Sequence, residues 1–336
     1  MQTIQKKTVS FSKNAANIFF HILTKCNLKC RHCYINPKQH GKNTLALEVI
    51  EKWLYFFSKK HKDANLILLG GEPTLHPDLH RVIKTSRDLG YQSVTVDTNG
   101  YLFHDILDRV SPEEVDYFSF SLDGATEGLN DGIRGKGSFA RCLSGLEKAS
   151  RAGFQTSLIY TVSRMNIHEL DAFSERVRHL PVNRVFIQVI GLRGKSGSDQ
   201  QDGLQVSLNQ WLDLVPKAAE SMAKQGKKVV YPKVFLHPGE PFECAGKVAS
   251  NYFIFPNGRV YQCPLCEDFP LNRYAFKNDR LEKTPKINEG DLFELDISEG
   301  CVMNRLIQPD NIPYDDQGAP RNKIACCLLK EEVSFL

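Results

Sequence analysis

Long apolar runs and a large excess of one charge are both missing from this sequence. Apolar stretches such as residues 18–20 and 66–69 are far shorter than the roughly 18 residues that suggest a membrane-spanning helix. The polar residues 1–12 lack the apolar core of a signal peptide. The chain carries 43 Lys and Arg against 39 Asp and Glu, a net charge of +4, which argues against nucleic acid or a membrane as the main partner. These absences predict a soluble, cytoplasmic, globular protein.

Cysteine is too scarce for a scaffold held by disulfides. Ten cysteines in 336 residues are about 3% of the chain, whereas disulfide-rich secreted scaffolds exceed roughly 8%. In a reducing cytoplasm, thiols remain available as thiolates for iron or zinc. The cysteines therefore favour metal ligation or redox chemistry.

Short apolar runs alternate with segments of helical periodicity over the first 190 residues. The predicted strands are residues 18–23, 65–69, 93–98, 117–122, 155–162 and 184–190, and the predicted helices are residues 45–59, 78–89, 102–110, 139–152 and 168–179. Gly90 and Gly153 follow two of these helices, where a left-handed C-cap is expected. Six strands that alternate with helices predict parallel strands with crossover helices, in an open doubly wound sheet or a partial β/α barrel.

The alternation stops near residue 190. Residues 191–203 are rich in Gly and Ser and predict a long loop of the kind that often covers a substrate. A helix at 208–224 and a strand-like run at 229–236 follow, and the irregular remainder holds six of the ten cysteines. We expect three parts: the β/α unit at 1–200, a connector at 201–238, and a C-terminal unit at 239–336 stabilised by metal.

Three cysteines lie close together directly after the first predicted strand. Cys26, Cys30 and Cys33 have the spacing C-x3-C-x2-C, so three thiolates can surround one compact metal centre. A structural zinc site closes with four ligands. A [4Fe–4S] cluster held by three cysteines leaves one iron without a protein ligand. A zinc knuckle and three unrelated thiols remain the alternatives.

This loop resembles the C-x3-C-x-φ-C signature of the radical S-adenosylmethionine (SAM) superfamily, with His32 at the ring position φ. The resemblance implies a [4Fe–4S] cluster whose open iron binds the amino and carboxylate groups of SAM. It implies that an electron from the cluster cleaves SAM to methionine and a 5′-deoxyadenosyl radical, which removes a hydrogen atom from the substrate. It also implies an external electron donor, a flavodoxin or ferredoxin, and a cofactor pocket that includes His32 and Tyr34.

Polar and glycine residues follow the later strands at the edge where β/α barrels place their sites. Gly70, Gly71, Glu72 and Pro73 resemble the GGEP element of the superfamily, which contacts the SAM amino group. The further candidates for cofactor binding are Thr98, Asn99, Ser121, Asp123, Arg134, Asn166 and Gly191. By the resemblance, Ser121 and Asn166 would reach the ribose or carboxylate of SAM, and Arg134 its carboxylate. Ordinary turns and helix caps would explain several of these residues equally well.

Of the remaining seven cysteines, Cys142 stands alone and six lie in the C-terminal part of the chain. Cys142 lies in the amphipathic segment 139–152 and is expected to pack in the core. Cys244 and Cys263 flank a predicted hairpin, strands 251–255 and 259–262, whose turn is Pro256-Asn257-Gly258, and this resembles the opening of SPASM and Twitch auxiliary domains. The full SPASM run C-x2-C-x5-C-x3-C is absent.

We therefore expect one auxiliary [4Fe–4S] cluster, because six cysteines cannot close two clusters of four ligands. The expected ligands are Cys244, Cys263, Cys266 and one of Cys326 and Cys327, with Cys301 less favoured. If Cys326 and Cys327 lie on a helix, they point about 100° apart, so that one of them faces the metal. A zinc site of four thiolates is the alternative.

These expectations combine into an α/β protein, a partial (β/α)6 TIM-like barrel with a cysteine-rich SPASM/Twitch-like module. The resemblance implies a radical SAM enzyme whose substrate is a peptide or protein side chain. Because about 17 residues precede the barrel, no leader-binding domain is expected there, and a peptide substrate would need a separate carrier. The alternatives are small-molecule dehydrogenation or carbon–carbon bond formation, an iron–sulfur electron-transfer or scaffold protein, and a zinc-binding interaction module.

Overall fold

The computed structural model describes residues 3–103, 105–198, 203–237, 239–308 and 312–335. The strands are β1 Ile4–Val9, β2 Ala16–His21, β3 Ala64–Leu69, β4 Ser93–Thr98, β5 Tyr117–Ser121, β6 Thr156–Val162, β7 Arg184–Val189, β8 Lys228–Pro232, β9 Phe235–Leu236, β10 Ser250–Ile254, β11 Arg259–Tyr261, β12 Tyr274–Lys277, β13 Arg280–Lys283, β14 Lys323–Ile324 and β15 Lys330–Phe335. The α-helices are α1 Pro37–His40, α2 Leu47–Lys60, α3 Leu79–Asp88, α4 Ile106–Arg109, α5 Glu127–Arg134, α6 Ser138–Arg151, α7 Leu170–Arg178, α8 Lys195–Ser198, α9 Leu208–Lys224, α10 Ala245–Val248 and α11 Glu289–Leu292. Short 3₁₀ turns occupy Pro73–Leu75, Ile167–Glu169, Pro264–Cys266 and Asn304–Leu306.

Most of the strands belong to one open sheet. In the described part of the chain its order is β1-β15-β8-β7-β6-β5-β4-β3-β2-β10-β11-β12-β13. Strands β2 to β7 are parallel neighbours in chain order, which confirms the α/β fold with a parallel sheet. The sheet is longer than predicted, because β8 adds in parallel to β7 and β10 adds in parallel to β2.

The two faces of the central sheet differ in burial. On β3 and β4 the fully buried Leu66, Leu68, Val94 and Val96 alternate with partly exposed residues. The buried side chains share one apolar core with residues of α2 and α3. The opposite face of β2 to β7, on which Asn65, Ile67, Thr95 and Asp97 are partly exposed, is called the lumen face below.

The two glycines predicted to end helices have the expected left-handed conformation. Gly90 has φ +82° and Gly153 has φ +88°, as a left-handed C-cap requires. The predicted helix 102–110 is shorter, since only Ile106–Arg109 is helical. Helix α5 was not predicted, because its glycines and asparagine interrupt the apolar period.

The C-terminal cysteine segment extends the main sheet. The predicted hairpin is confirmed as β10 and β11, and β12 and β13 continue it. The expected boundaries at residues 200 and 238 remain predictions, although the sheet crosses both. Within the predicted loop 191–203, α8 occupies Lys195–Ser198, and residues 199–202 lie outside the described residues.

Cys326 and Cys327 lie in a turn between β14 and β15, so the assumption of a helix there was wrong. In the described residues, no helix is long and apolar enough to cross a bilayer.

Candidate active site

The first cysteine loop connects β2 to α1 at the carboxyl edge of the sheet. Cys26, Cys30 and Cys33 are partly exposed, and none of them forms a disulfide. Burial raises the pKa of Cys26 to about 11, and the neighbouring Cys30 and Cys33 also raise it, which places the three thiols near one another. The Leu28 amide donates to the Cys26 sulfur at 3.3 Å. The three thiols thus lie on one short loop at this edge of the sheet.

Gly70 and Gly71 let this loop lie directly on the end of β3. A Cβ on Gly71 would be 2.2 Å from the Lys25 carbonyl oxygen, and a Cβ on Gly70 would be 2.5 Å from that of Leu23. The Gly71 amide donates to Leu23 O at 3.0 Å, and the Glu72 amide to Lys25 O at 2.9 Å. The absence of side chains at these two glycines therefore lets the backbone of the cysteine loop lie against them.

Replacing Gly71 with alanine is expected to remove about half of the bound iron, because the backbone that carries Cys26 must move away from β3. The matched control is Gly128→Ala in α5, where an added Cβ meets nothing within 4 Å and alanine favours the helix by about 0.5–1 kcal/mol. Iron and sulfide analysis after anaerobic reconstitution measures the difference. Equal iron in the two variants would contradict the positioning role of Gly71.

Glu72 joins β3 to the end of β4. Its buried carboxylate accepts from the Thr74 amide at 3.1 Å, the Thr98 hydroxyl at 2.7 Å and the Asn99 amide at 2.7 Å. Burial raises the pKa of Glu72, and these hydrogen bonds oppose the shift. Pro73 begins the 3₁₀ turn that follows.

Asn99 connects this corner to the cysteine loop. Its side-chain nitrogen donates to Asn27 Oδ1 at 2.9 Å and lies 3.7 Å from the Cys26 sulfur. The Nδ2 atom of Asn27 is buried without a hydrogen-bond partner, which is consistent with a site that takes a further group.

Asp123 organises the opposite side of the site, after β5. Its Oδ2 atom pairs with Arg134 Nε at 2.6 Å and lies 3.2 Å from His32 Nε2. The Asp123 side chain is fully buried, and that of Arg134 is 9% exposed. The Cys30 sulfur lies 3.8 Å from the Arg134 carbonyl oxygen. This cluster therefore ties α5 to the cysteine loop.

Asn166 and Asn130 hold Asp123 in place. Asn166 Nδ2 donates to the carbonyl oxygens of Asp123 at 3.0 Å and Thr161 at 2.9 Å. The Thr161 amide donates to Asp123 Oδ1 at 2.8 Å, and the Asp123 amide to Asn130 Oδ1 at 2.9 Å. Asn130 was missed from the sequence, since a lone asparagine in an unpredicted helix gives no signal.

Three further candidates occupy different surroundings. Ser121 is partly exposed at the end of β5, and its carbonyl accepts from the Cys142 thiol at 3.5 Å. The Tyr34 hydroxyl is 2.8 Å from His21 Nε2, and its ring lies under the Arg193 guanidinium at 4.9 Å. Gly191 abuts Leu265, whose side chain would be 3.1 Å from an added Cβ. Gly191 therefore lies beside the C-terminal segment, and Arg193 connects Tyr34 to that segment by pairing with Glu267 at 2.6 Å.

The six C-terminal cysteines line one cavity, which we call the cysteine basin. Its thiols are Cys244, Cys263, Cys266, Cys301, Cys326 and Cys327, and the remaining lining is almost entirely apolar. Burial, together with the nearby Cys263 and Cys326, raises the pKa of Cys301 well above its ordinary value. Cys301, the less favoured candidate, thus lies among the other thiols.

Both sets of thiols fit iron–sulfur clusters by their chemistry and spacing. Four thiolates around one zinc ion, each with a Zn–S bond of about 2.3 Å, must converge closely. Among the described residues, no group of three or more Cys, His, Asp or Glu side chains is compact enough to hold a single metal ion. A four-iron cluster can bind thiolates that lie farther apart, because each cysteine binds a different iron.

The fold is an open parallel β/α sheet, with a three-thiol loop after the first of its parallel strands β2 to β7, at the carboxyl edge. Residues 21–177 match the model of the Radical SAM superfamily, and this chain therefore carries a radical SAM domain. Proteins of this superfamily use a [4Fe–4S] cluster to cleave SAM, as the sequence resemblance implied.

Relatives and solved structures agree with this assignment. A probable GTP 3′,8-cyclase of Saccharolobus islandicus is 27% identical over 280 residues, which are 82% of this chain and 87% of the relative. The fold resembles SuiB of Streptococcus suis bound to its precursor peptide SuiA, with a TM-score of 0.65 and 12% identity, over 89% of this chain and 71% of SuiB. It also resembles anSMEcpe bound to AdoMet and a Kp18Cys peptide, with a TM-score of 0.64 and 15% identity over 92% of both chains.

Proposed function

We propose that this protein is a radical SAM enzyme that removes a hydrogen atom from a substrate held against the lumen face, with one auxiliary [4Fe–4S] cluster in the cysteine basin. The observation that carries the proposal is that the three-thiol loop, the Gly70-Gly71 turn and the Asp123–Arg134 pair lie at one edge of the sheet. This edge is where β/α enzymes place their chemistry.

In this proposal, the residues of the chain bind the cluster and orient SAM. Cys26, Cys30 and Cys33 would hold a [4Fe–4S] cluster, which when reduced supplies the electron that cleaves SAM to methionine and a 5′-deoxyadenosyl radical. Arg134 uses Nε for Asp123, and its other N–H groups supply donors for the SAM carboxylate. Backbone carbonyl oxygens at Gly70 and Gly71 supply acceptors for the ammonium group. A substrate bound against the lumen face would supply the hydrogen atom that converts this radical to 5′-deoxyadenosine.

The direct test is SAM cleavage by the anaerobically reconstituted protein with dithionite as reductant. We expect 5′-deoxyadenosine, measured by liquid chromatography and mass spectrometry, in amounts that grow with time. Reconstituted protein that contains iron and forms no 5′-deoxyadenosine would favour an iron–sulfur scaffold or electron-transfer protein instead.

The auxiliary cluster would be held by four thiols of the cysteine basin. Cys244, Cys263 and Cys266 remain the leading ligands, and the position of Cys301 among these thiols makes it as good a fourth ligand as Cys326. Four cysteines close all four irons, so we propose that this cluster exchanges an electron with the substrate radical.

Replacing Cys263 with alanine is expected to lower the iron content from about eight to about four atoms per chain, because one of the two four-iron clusters is lost. The control is Cys142→Ala, since Cys142 is buried in the core and belongs to neither group of thiols. Iron analysis and electron paramagnetic resonance of the reduced protein measure the change. A colourless wild-type protein that contains zinc would contradict the proposal.

For the substrate we propose a peptide or protein side chain. Support comes from the fold, which is shared with SuiB in complex with the peptide SuiA and with peptide-bound anSMEcpe. The name of the Saccharolobus relative favours a second candidate, a small molecule in cofactor synthesis. A nucleoside triphosphate itself fits poorly, because β2 to β6 carry no Lys or Arg on either face.

A further inference from the structure

Strands β2 to β6 of the lumen face present very little charge, and β7 adds Arg184, whose guanidinium lies 4.8 Å from the centre of the Tyr117 ring. Across the five parallel strands β2 to β6, all of them described, the side chains of the Asp, Glu, His, Lys and Arg types are Asp97 and His21. Burial lowers the pKa of His21 to about 3, so its imidazole is neutral at physiological pH. Asp97 is therefore the sole source of charge on this part of the sheet.

Asp97 faces the lumen at the end of β4. Its neighbours Val96 and Thr98 are buried on the other face, whereas Asp97 lies deep in the protein and still remains partly accessible. This combination is expected of a group that lines an internal chamber. A substrate that enters the lumen can therefore contact its carboxyl group.

The partners of Asp97 are hydroxyl groups. Asp97 pairs in register with Ser119 on β5, and Ser119 pairs with Ser157 on β6. Ser119 lies within hydrogen-bonding reach of the Asp97 carboxylate, and the two serine hydroxyls bond to each other. Among the described ion pairs, none involves Asp97. A carboxylate buried without a cation costs free energy, and burial raises the pKa of Asp97 to about 7.

Asp97 also lies near the reacting centre. Asn99, two residues further along the chain, is 3.7 Å from the Cys26 sulfur, and two residues of strand span about 7 Å. A ligand held by Asp97 is thus adjacent to the site where SAM would be cleaved.

We infer that Asp97 is the substrate-binding acceptor of the lumen and that the substrate presents a protonated amine to it. The ammonium group supplies the cation that the described residues do not, while the Ser119 hydroxyl, within hydrogen-bonding reach of Asp97, holds the carboxylate in place. Neighbouring carbon–hydrogen bonds of the bound amine are then placed at the carboxyl edge of the sheet. This inference rests on the proposed function, because it assigns the lumen to a substrate.

The test uses n-butylammonium as the probe and n-butanol as its uncharged counterpart. Saturation-transfer-difference NMR on the unreduced, reconstituted protein at pH 8 compares the wild type with Asp97→Asn, a substitution of nearly equal shape. We expect the butylammonium signal to fall at least fivefold in Asp97→Asn and the butanol signal to stay unchanged. The control Asp63→Asn removes an exposed carboxylate from the surface and should leave both signals unchanged.

A second variant separates binding from misfolding. Asp97→Glu keeps the carboxylate and should restore at least half of the butylammonium signal. An equal butylammonium signal in the wild type and Asp97→Asn would overturn the inference, as would loss of the signal in Asp97→Glu together with Asp97→Asn. Failure of the proposed function is distinguishable, because it appears as wild-type protein that forms no 5′-deoxyadenosine, a result independent of the NMR measurement.

Discussion

Replacing Cys30 with alanine is expected to abolish the formation of 5′-deoxyadenosine. The first cysteine loop offers three thiols, and a cluster held by two of them has a second iron without a protein ligand. Mutation of residues that hydrogen-bond to metal ligands typically lowers metal affinity or activity by about 10–100-fold. Loss of a ligand itself should therefore lower SAM cleavage by about 100-fold or more. The measurement is 5′-deoxyadenosine per chain per hour with dithionite, beside the iron content.

The control for Cys30→Ala is Cys142→Ala, which removes a buried thiol from α6 and should preserve both the iron content and the cleavage rate. If Cys30→Ala cleaves SAM at the rate of Cys142→Ala, the loop is not the SAM-binding metal site. Loss of about four irons from Cys30→Ala, with the rest retained, would show that the cysteine basin assembles its cluster independently.

Replacing Asp123 with asparagine is expected to lower the free energy of unfolding by about 3–5 kcal/mol, because it leaves the Arg134 guanidinium buried without its counter-ion. The two groups are 2.6 Å apart, and Asp123 is fully buried. His32, at 3.2 Å, loses the same partner. Anaerobic urea unfolding followed by tryptophan fluorescence measures the change, since Trp53 and Trp211 are both buried.

Two further variants test whether the loss of stability in Asp123→Asn comes from the unpaired Arg134. Glu175→Gln removes one member of an exposed ion pair with Arg178, and such pairs contribute about 0–1 kcal/mol. Adding Arg134→Met to Asp123→Asn removes the orphaned charge and should recover part of the lost stability. A change below about 1 kcal/mol in Asp123→Asn would mean that water or another group solvates Arg134.

Local patterns were enough to predict the central sheet. All six predicted strands from β2 to β7 are present, because buried parallel strands appear as short apolar runs between turn residues. The hairpin of β10 and β11 was equally visible, since Pro256-Asn257-Gly258 specifies a turn. In contrast, β15 begins with three charged residues and has two apolar ones, Val333 and Phe335, and its partner β1 lies far away in the chain.

The site could be predicted only as a set of residue types at strand ends. The sequence cannot show that Asp123 neutralises Arg134, since the pairing depends on how α5, which was not predicted, folds back onto the cysteine loop. Likewise, Gly70 and Gly71 were expected to admit a ligand, and the structure places the chain's own Leu23 and Lys25 against them. The place of Cys301 in the basin depends on tertiary packing, for which its spacing carries no signal.

The pairing of β1 with β15 has a consequence for biosynthesis. Val9 lies opposite Lys330, so β1 leaves the ribosome about 320 residues before its partner, which at about 5–20 residues per second is roughly 20–60 seconds. During the synthesis of the roughly 100 residues between β8 and β15, one edge of β8 has no neighbouring strand, and an open edge invites pairing with other chains. We expect the nascent protein to depend on chaperones until its last strand emerges, and slow translation to lower its soluble yield.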